Sequence, residues 1–199
     1  MRVADYPVPQ PEVGECLVGI VACGLCGTDV KLRAGKVPGV RYPLVLGHEP
    51  AGVEVETGRR VAVYPHLSCG RCVNCVEGRE NVCLRSGGTL GITAQGALAE
   101  YARVPERNLV DLPEGVDFAE GALAGGVVAV SLCAVRKMGA VLDQWVVVAG
   151  LGGLGAALWC RGPRLHRREA PGDPQEARRP KRRPDRARQP RHPREQGLS

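Results

Sequence analysis

The sequence predicts a β-rich domain, then the beginning of an α/β domain with a parallel sheet, and finally a basic tail. Residues 1–116 contain short strand-like segments separated by stretches rich in glycine, proline and asparagine. Helical periodicity replaces this pattern over residues 117–158, where an apolar segment runs into a glycine-rich turn. Residues 159–199 are rich in arginine and proline and have few aliphatic side chains, so a disordered tail is expected there.

Three segments of the first domain have the composition of strands. Glu15–Cys23 is largely apolar and is bounded by glycines, Arg60–Tyr64 alternates between polar and apolar residues, and Ala99–Val104 is a short candidate. The residues that link them suit turns rather than helices. These segments therefore predict the framework of a β-rich domain.

Two helices and a strand are predicted in the second part. Asp117 can cap a helix that extends through Ala124, and Val127–Met138 is predicted to be a second, apolar helix closed by Gly139. Trp145–Ala149 is apolar without alternation, which is typical of a strand buried on both faces of a parallel sheet. The change of period therefore marks the start of a different architecture.

The net charge of +6 is unevenly distributed along the chain. Residues 161–199 hold 13 of the 27 lysines and arginines but 5 of the 21 acidic residues, which gives this segment a charge of +8. The preceding residues carry −2, so the body of the protein is mildly acidic. Only the tail could attract a polyanion.

The composition also indicates where in the cell the protein is expected and how its cysteines are used. The longest apolar run, Gly121–Val135, is interrupted by glycines and Ser131, which predicts a buried helix rather than a membrane span. The first residues have no apolar signal core, so a cytoplasmic location is expected. In that compartment the nine cysteines are expected to be metal ligands or buried thiols rather than disulfides.

Four cysteines within fifteen residues form the most specific motif of the chain: Cys69, Cys72, Cys75 and Cys83. Zinc binds four thiolates in a tetrahedron with bonds of about 2.3 Å, and Gly70 and Gly78 supply turns that let the thiolates converge. A redox pair or scattered buried cysteines would not need four thiols. The motif therefore predicts a closed structural zinc site that holds its loop in shape and performs no chemistry.

A glycine-rich turn follows the predicted parallel strand. Gly150, Gly152 and Gly155 have the spacing of a dinucleotide-binding turn, and Ala156 begins a helix. The first glycine allows the tight turn, the second lets a pyrophosphate approach the backbone, and the third lets strand and helix pack closely. A plain flexible loop is the alternative, but the strand–turn–helix setting favours a nucleotide site.

These motifs belong to a longer ordered series. The chain carries, in order, VPQPEVGECLV, GLCGTD, VLGHEPAG, CGRCVNCVEGRENVC, ALAEYARVPERNLVDLP and VVVAGLGGLG. From about Val3 to Leu158 it resembles the zinc-containing medium-chain dehydrogenase/reductase family, which includes alcohol, sorbitol and threonine dehydrogenases. The resemblance implies a GroES-like catalytic domain over residues 1–116 and the start of a Rossmann domain over residues 117–158.

The resemblance also implies a catalytic zinc site. Cys26 and His48 would be ligands, and Glu49 would be an alternative ligand or an electrostatic partner. Asp29 would orient His48, and Thr28 would pass the substrate hydroxyl proton outward. Zinc would activate a secondary alcohol or polyol, and NAD or NADP would accept hydride from its carbon. Taken alone, a single cysteine and a single histidine are more often packing residues.

The chain departs from the family pattern at the third zinc ligand. The family's cysteine or glutamate is expected within Ala122–Gly126, where no residue can bind metal and Ala124 is the matching position. The remaining strands of a nucleotide-binding domain, and the family's final return to the catalytic domain, are not found. We therefore expect a truncated chain that is inactive or weakly active, with the residues from Trp159 onward translated out of frame or forming a genuine basic tail.

Two other functions fit part of the pattern. A noncatalytic zinc-binding module could use the basic tail to contact nucleic acid or an acidic partner, although no aromatic residue follows Trp159 to stack on bases. A zinc-free quinone reductase relative would not need the cysteine and histidine motifs. The alcohol, the choice between NAD and NADP and the oligomeric state stay open, and homo-oligomers are typical of the family that the chain resembles.

Overall fold

A five-stranded antiparallel sheet is the largest sheet in the part of the chain that the structure describes. The computed structural model describes residues 2–139 and 146–161. The strands are β1 (Glu15–Gly24), β2 (Glu49–Glu54), β3 (Arg60–Val63), β4 (His66–Leu67), β5 (Gly88–Thr89), β6 (Tyr101–Pro105) and β7 (Leu109–Asp111). The large sheet has the order β6-β1-β2-β3-β7, and β4 pairs with β5 in a small separate sheet. The prediction of a β-rich first domain is confirmed.

The three strands predicted from composition are present with small shifts at their ends. The segment predicted at Arg60–Tyr64 ends one residue earlier, and the one predicted at Ala99–Val104 begins two residues later. Strand β2 was missed because its sequence, EPAGVE, contains proline and glycine, which have low strand propensity. It forms nevertheless because β1 and β3 hydrogen-bond to it on both sides.

Small aliphatic side chains fill the core of this sheet. The buried cluster consists of Val18, Val61, Val63, Leu90, Ala97, Ala102 and Val104. Strand β6 shows how it is built, since Ala102 and Val104 are buried whereas Tyr101 and Arg103 are exposed. This alternation is typical of a sheet with one face on the core and one face in solvent.

Short helices and a longer helical segment complete the described architecture. They are α1 (Gly27–Arg33), α2 (Val73–Val76), α3 (Phe118–Leu123), α4 (Ala129–Met138) and α5 (Gly153–Arg161), with 3₁₀ turns at Glu80–Val82 and Glu106–Asn108. Asp117 caps α3 as predicted, because its side chain accepts a hydrogen bond of 2.7 Å from the Glu120 backbone N–H. Gly139 closes α4 with φ of 62°. Between α3 and α4 the helix is π-helical over Ala124–Val128.

The apolar helical segment is more exposed than predicted. Phe118–Met138 is long and apolar enough to cross a membrane by length and composition, a test that core helices of other proteins also pass, and 17% of its most apolar window is buried. The expectation of a buried helix over Gly121–Val135 is therefore wrong for the described structure. The physical reason is that α3 packs against β1 and β2, whereas Ser131 is the one buried residue of α4 among those described.

The strand predicted at Trp145–Ala149 is not found in the described residues. Trp145 lies outside them, and Val146–Ala149 have no strand pairing. A parallel strand is stable only when neighbouring strands accept and donate its backbone hydrogen bonds, and the described residues place none beside this segment. The predicted turn and helix do follow, and α5 continues to Arg161, three residues beyond the predicted boundary. The rest of the predicted tail, residues 162–199, lies outside the described residues, and the domain boundaries at 116 and 158 stay predictions.

Candidate functional site

The first site is built at the start of α1. Cys26 is its N-cap, with its Sγ accepting a hydrogen bond of 3.3 Å from the Thr28 backbone N–H. Asp29 reaches back and accepts a hydrogen bond of 2.9 Å from the Cys26 backbone N–H. This is the reciprocal arrangement of a capping box, with cysteine in place of serine or threonine. It orients the thiol and the carboxylate before any ligand binds.

Pairing between β1 and β2 brings the second motif to this point. The register places Gly24 opposite Glu49, so the end of β1 lies beside the start of β2. Cys26 Sγ is 3.1 Å from His48 Nε2, and His48 Nδ1 is 3.6 Å from Asp29 Oδ1. The thiol therefore faces one ring nitrogen and the carboxylate faces the other.

The donor atoms of this cluster fit a zinc ion. One donor atom each from Cys26, Asp29 and His48 lies within 4.8 Å of the others. Tetrahedral bonds of about 2.3 Å to sulfur and 2.0 Å to nitrogen separate the two donors by about 3.5 Å, close to the spacing of Cys26 and His48. Asp29 Oδ1 and His48 Nδ1 are buried without a hydrogen-bond partner, which suits a carboxylate that orients a metal-binding imidazole.

Glu49 lies near the same imidazole nitrogen as the Cys26 thiol. Its Oε1 is 3.9 Å from His48 Nε2, and the residue is 4% exposed. Burial raises the pKa of its carboxyl group, His48 opposes this rise, and Asp29 adds to it. A side chain at Gly24 would overlap Oε2, and a Cβ at Gly126 would lie 3.3 Å from Oε1. Glu49 thus fills the space between two glycines, where it can serve as a third donor.

Gly126 is a helical position that faces this site, since a Cβ there would lie 3.2 Å from Glu49 Cγ. The match of Ala124 to the family's third ligand stays a prediction. The π-helical turn changes the phase of the helix here, which sequence reasoning did not detect. None of its residues carries a metal-binding side chain.

The second site closes the loop between β4 and β5. The Sγ atoms of Cys69, Cys72, Cys75 and Cys83 all lie within 4.8 Å of one another. Cys72 Sγ is 3.4 Å from that of Cys75 and 3.9 Å from that of Cys83. Four thiolates around zinc lie about 3.8 Å apart, whereas a disulfide requires about 2.05 Å. The spacing therefore suits a tetrathiolate zinc site.

Backbone N–H groups stabilise the thiolate form of two cysteines in this loop. Hydrogen bonds from the N–H groups of Leu84 and Cys75 lower the pKa of Cys72 to about 6, and the N–H of Arg71 lowers that of Cys69. Burial and the neighbouring thiols raise the pKa of Cys75 to about 11. Metal binding would favour the thiolate form at every position, so affinity for the metal should rise with pH.

Each glycine of the candidate nucleotide turn has a distinct structural role. Gly150 has φ of 97°, a left-handed conformation that other residues rarely adopt. A side chain at Gly155 would overlap the Gly150 carbonyl oxygen, whereas a Cβ at Gly152 would meet no atom within 4 Å. The Ala156 N–H donates to the Gly152 carbonyl at 2.9 Å as α5 begins. These roles fit the tight turn, the close packing and the open approach predicted for a pyrophosphate.

Similar proteins support the assignment of this architecture. Residues 12–114 match the alcohol dehydrogenase GroES-like domain. L-galactonate-5-dehydrogenase from Escherichia coli is 35% identical over 161 residues, which cover 75% of this chain and 46% of that protein. L-threonine 3-dehydrogenase from Streptomyces avermitilis is 42% identical over 116 residues, covering 51% of this chain and 34% of that protein.

A solved structure of an alcohol dehydrogenase also matches this chain. The cobalt- and zinc-bound thermostable alcohol dehydrogenase from Pyrobaculum aerophilum is 30% identical with a TM-score of 0.74, and the match covers 79% of this chain and 51% of that one. The chain spans less than half the length of the curated relatives it matches, from 34% to 49%. Nothing in these relatives supports a noncatalytic nucleic-acid-binding module. The chain belongs to the zinc-containing medium-chain dehydrogenase/reductase family, and residues 12–114 are its alcohol dehydrogenase GroES-like domain.

Proposed function

We propose that this protein has the zinc sites and the first part of the nucleotide site of an NAD(P)-dependent alcohol dehydrogenase. The substrate proposed is a secondary alcohol or polyol. One observation carries the proposal: the Cys26 thiol and the His48 imidazole meet at 3.1 Å, with the Asp29 carboxylate at the other ring nitrogen. The names of several relatives, which include alcohol and L-threonine 3-dehydrogenases, agree with this chemistry.

Cys26, His48 and Glu49 would hold the catalytic zinc. When bound there, zinc supplies a Lewis acid that lowers the pKa of a substrate hydroxyl group. Asp29, whose Oδ1 lies 3.6 Å from His48 Nδ1, would orient the imidazole so that Nε2 faces the metal position. Glu49 is held between Gly24 and Gly126, so its carboxylate supplies negative charge where the helix provides no ligand.

Thr28 is the residue proposed to accept the hydroxyl proton and pass it outward. It lies in the first turn of α1 and is held there by the hydrogen bond from its N–H to Cys26 Sγ. Thr28 is partly exposed while Asp29 beside it is buried, and a partly exposed residue next to the metal cluster suits the passage of a proton to solvent. NAD or NADP supplies the hydride acceptor when bound, and the turn at Gly150, Gly152 and Gly155 would receive its pyrophosphate.

The four-cysteine loop is proposed to bind a structural zinc. Its four thiols leave no open coordination position for a substrate, so the metal would contribute to folding and not to the reaction. The cytoplasmic location and the possibility of a homo-oligomer stay predictions.

Cobalt substitution tests these assignments, because Co²⁺ binds the same ligands as zinc and absorbs visible light. We expect one strongly held ion that depends on Cys72 and a second, weaker one that depends on Cys26. Adding a secondary alcohol or a polyol should shift only the absorption bands lost in Cys26→Ser. Cys133→Ser is the matched control, since Cys133 is exposed on α4 and belongs to neither cluster. A cobalt spectrum that is unchanged by Cys26→Ser would refute the catalytic assignment.

A further inference from the structure

The 3₁₀ turn Glu106–Asn108 lies against the loop that carries the four cysteines. Asn108 is 1% exposed, and its side-chain amide donates hydrogen bonds to the carbonyl groups of Tyr64 and His66 at 2.7 and 2.8 Å. These carbonyls flank the point where the chain leaves β3 and enters β4. Asn108 therefore ties the base of the cysteine loop to the central sheet.

Arg107, next in the chain, covers the loop itself. Its guanidinium group occupies the space that a side chain at Gly70 would need. Gly70 lies between Cys69 and Cys72 and has φ of 68°, so its backbone forms the turn that brings these two thiols together. The guanidinium is thus placed directly on the turn of the metal site.

The charge of Arg107 has no carboxylate partner in the part of the chain that the structure describes. Other arginines do have one, since Arg59 pairs with Glu54 and Arg79 pairs with Glu77. A divalent cation with four thiolates retains two net negative charges. A guanidinium beside such a site would offset part of this charge, and because Arg107 is exposed the effect would be screened by salt.

We propose that Arg107 is a positioning residue of the four-cysteine site, an inference that rests on the zinc binding proposed above. Its guanidinium packs on Gly70 and offsets the negative charge of the tetrathiolate, while Asn108 anchors the loop. Gly70 is then required for two reasons, its left-handed conformation and the contact with Arg107. Gly78 has a similar φ of 71°, but a Cβ there would meet no atom within 4 Å. At Gly78 glycine is therefore required only for its left-handed conformation.

Zinc release to a chromogenic chelator measures this role in the full chain. We expect Arg107→Gln to release zinc about 1.5- to 5-fold faster than the unmodified chain, the range for an exposed charged contact. Arg107→Lys keeps the charge but not the planar group and should recover part of the difference. Arg79→Gln is the matched control, because this arginine lies in the same loop but pairs with Glu77. Raising the salt concentration should narrow the gap between Arg107→Gln and the unmodified chain.

A second pair of variants separates packing from backbone strain. Gly70→Ala and Gly78→Ala place the same strained residue in the same loop, so any faster release in Gly70→Ala reports the displaced guanidinium. The role of Arg107 would be overturned if zinc release were equally fast in Arg107→Gln and Arg79→Gln, and also equally fast in Gly70→Ala and Gly78→Ala. Absence of zinc from the unmodified chain would instead refute the metal site itself.

Discussion

Replacing Gly24 with alanine should displace the Glu49 carboxylate from the candidate catalytic site. Gly24 is the last residue of β1 and lies opposite Glu49 in the register with β2. A methyl group there would overlap Glu49 Oε2 and lie 3.1 Å from Glu49 Cβ and 3.3 Å from Leu123 Cδ2. Glu49 as a whole is 4% exposed and Gly126 lies on its other side, so little space is available for its carboxylate to move.

These contacts set the expected loss of stability in Gly24→Ala. Adding a methyl group to a filled space typically destabilises a protein by about 1–3 kcal/mol. Replacing a strand glycine with alanine otherwise stabilises by about 0.5–1 kcal/mol, because the unfolded chain loses freedom. Gly24→Ala should therefore lower the free energy of unfolding by about 1–2 kcal/mol. With a urea dependence of about 1–3 kcal/mol per molar, the unfolding midpoint should fall by about 1 M.

Gly19→Ala is the matched control in the same strand. A Cβ at Gly19 would lie 3.6 Å from the Val53 carbonyl oxygen and 3.8 Å from Tyr101, which are ordinary contacts. This variant should be as stable as the unmodified chain or slightly more stable. Urea denaturation measures both variants, and cobalt absorption reports whether the Cys26 site changes. Equal midpoints for the two variants, with unchanged cobalt bands in Gly24→Ala, would refute the argument that Glu49 is confined by Gly24.

Three further predictions concern the metal sites and the sheet. Cys72→Ser should lose about one zinc per chain in metal analysis and unfold its loop, and full retention of zinc would contradict the assignment. Gly126→Cys should strengthen the sulfur-to-cobalt absorption of the catalytic site, because a Cβ at Gly126 would contact Glu49. Ala124→Cys should not, because residues two apart on a helix point in nearly opposite directions. Equal spectra for the two variants would show that this expected helix phase is wrong. Hydrogen bonds from Arg59 hold the pKa of Glu54 at about 2, below its ordinary value of 4.5. The ionised carboxylate therefore stabilises the folded protein above pH 4.5, and this contribution is lost as the pH falls towards 2. Glu54→Gln should cost about 1 kcal/mol at neutral pH and remove this acid-dependent part of the urea midpoint, and an unchanged pH profile would argue against the ion pair.

Features that depend on neighbours within a few residues were predictable from the sequence. The four cysteines converge because their spacing is short, and Asp117 and Gly139 delimit the helical segment through local capping. The strands β1 and β3 follow from apolar composition bounded by turn residues. The glycine turn before α5 likewise follows from its spacing, since each glycine answers a local steric requirement.

Features that depend on register and on packing between distant segments were decided only by the tertiary structure. Family resemblance could assign roles to Cys26 and His48, but their separation of 3.1 Å results from the pairing of β1 with β2. Gly126 lies against Glu49 within the π-helical turn Ala124–Val128, and the residue types of that turn do not indicate this contact. Local patterns specify backbone conformation through interactions over a few residues, whereas the site requires side chains from separate elements to meet, and only the folded sheet sets those distances.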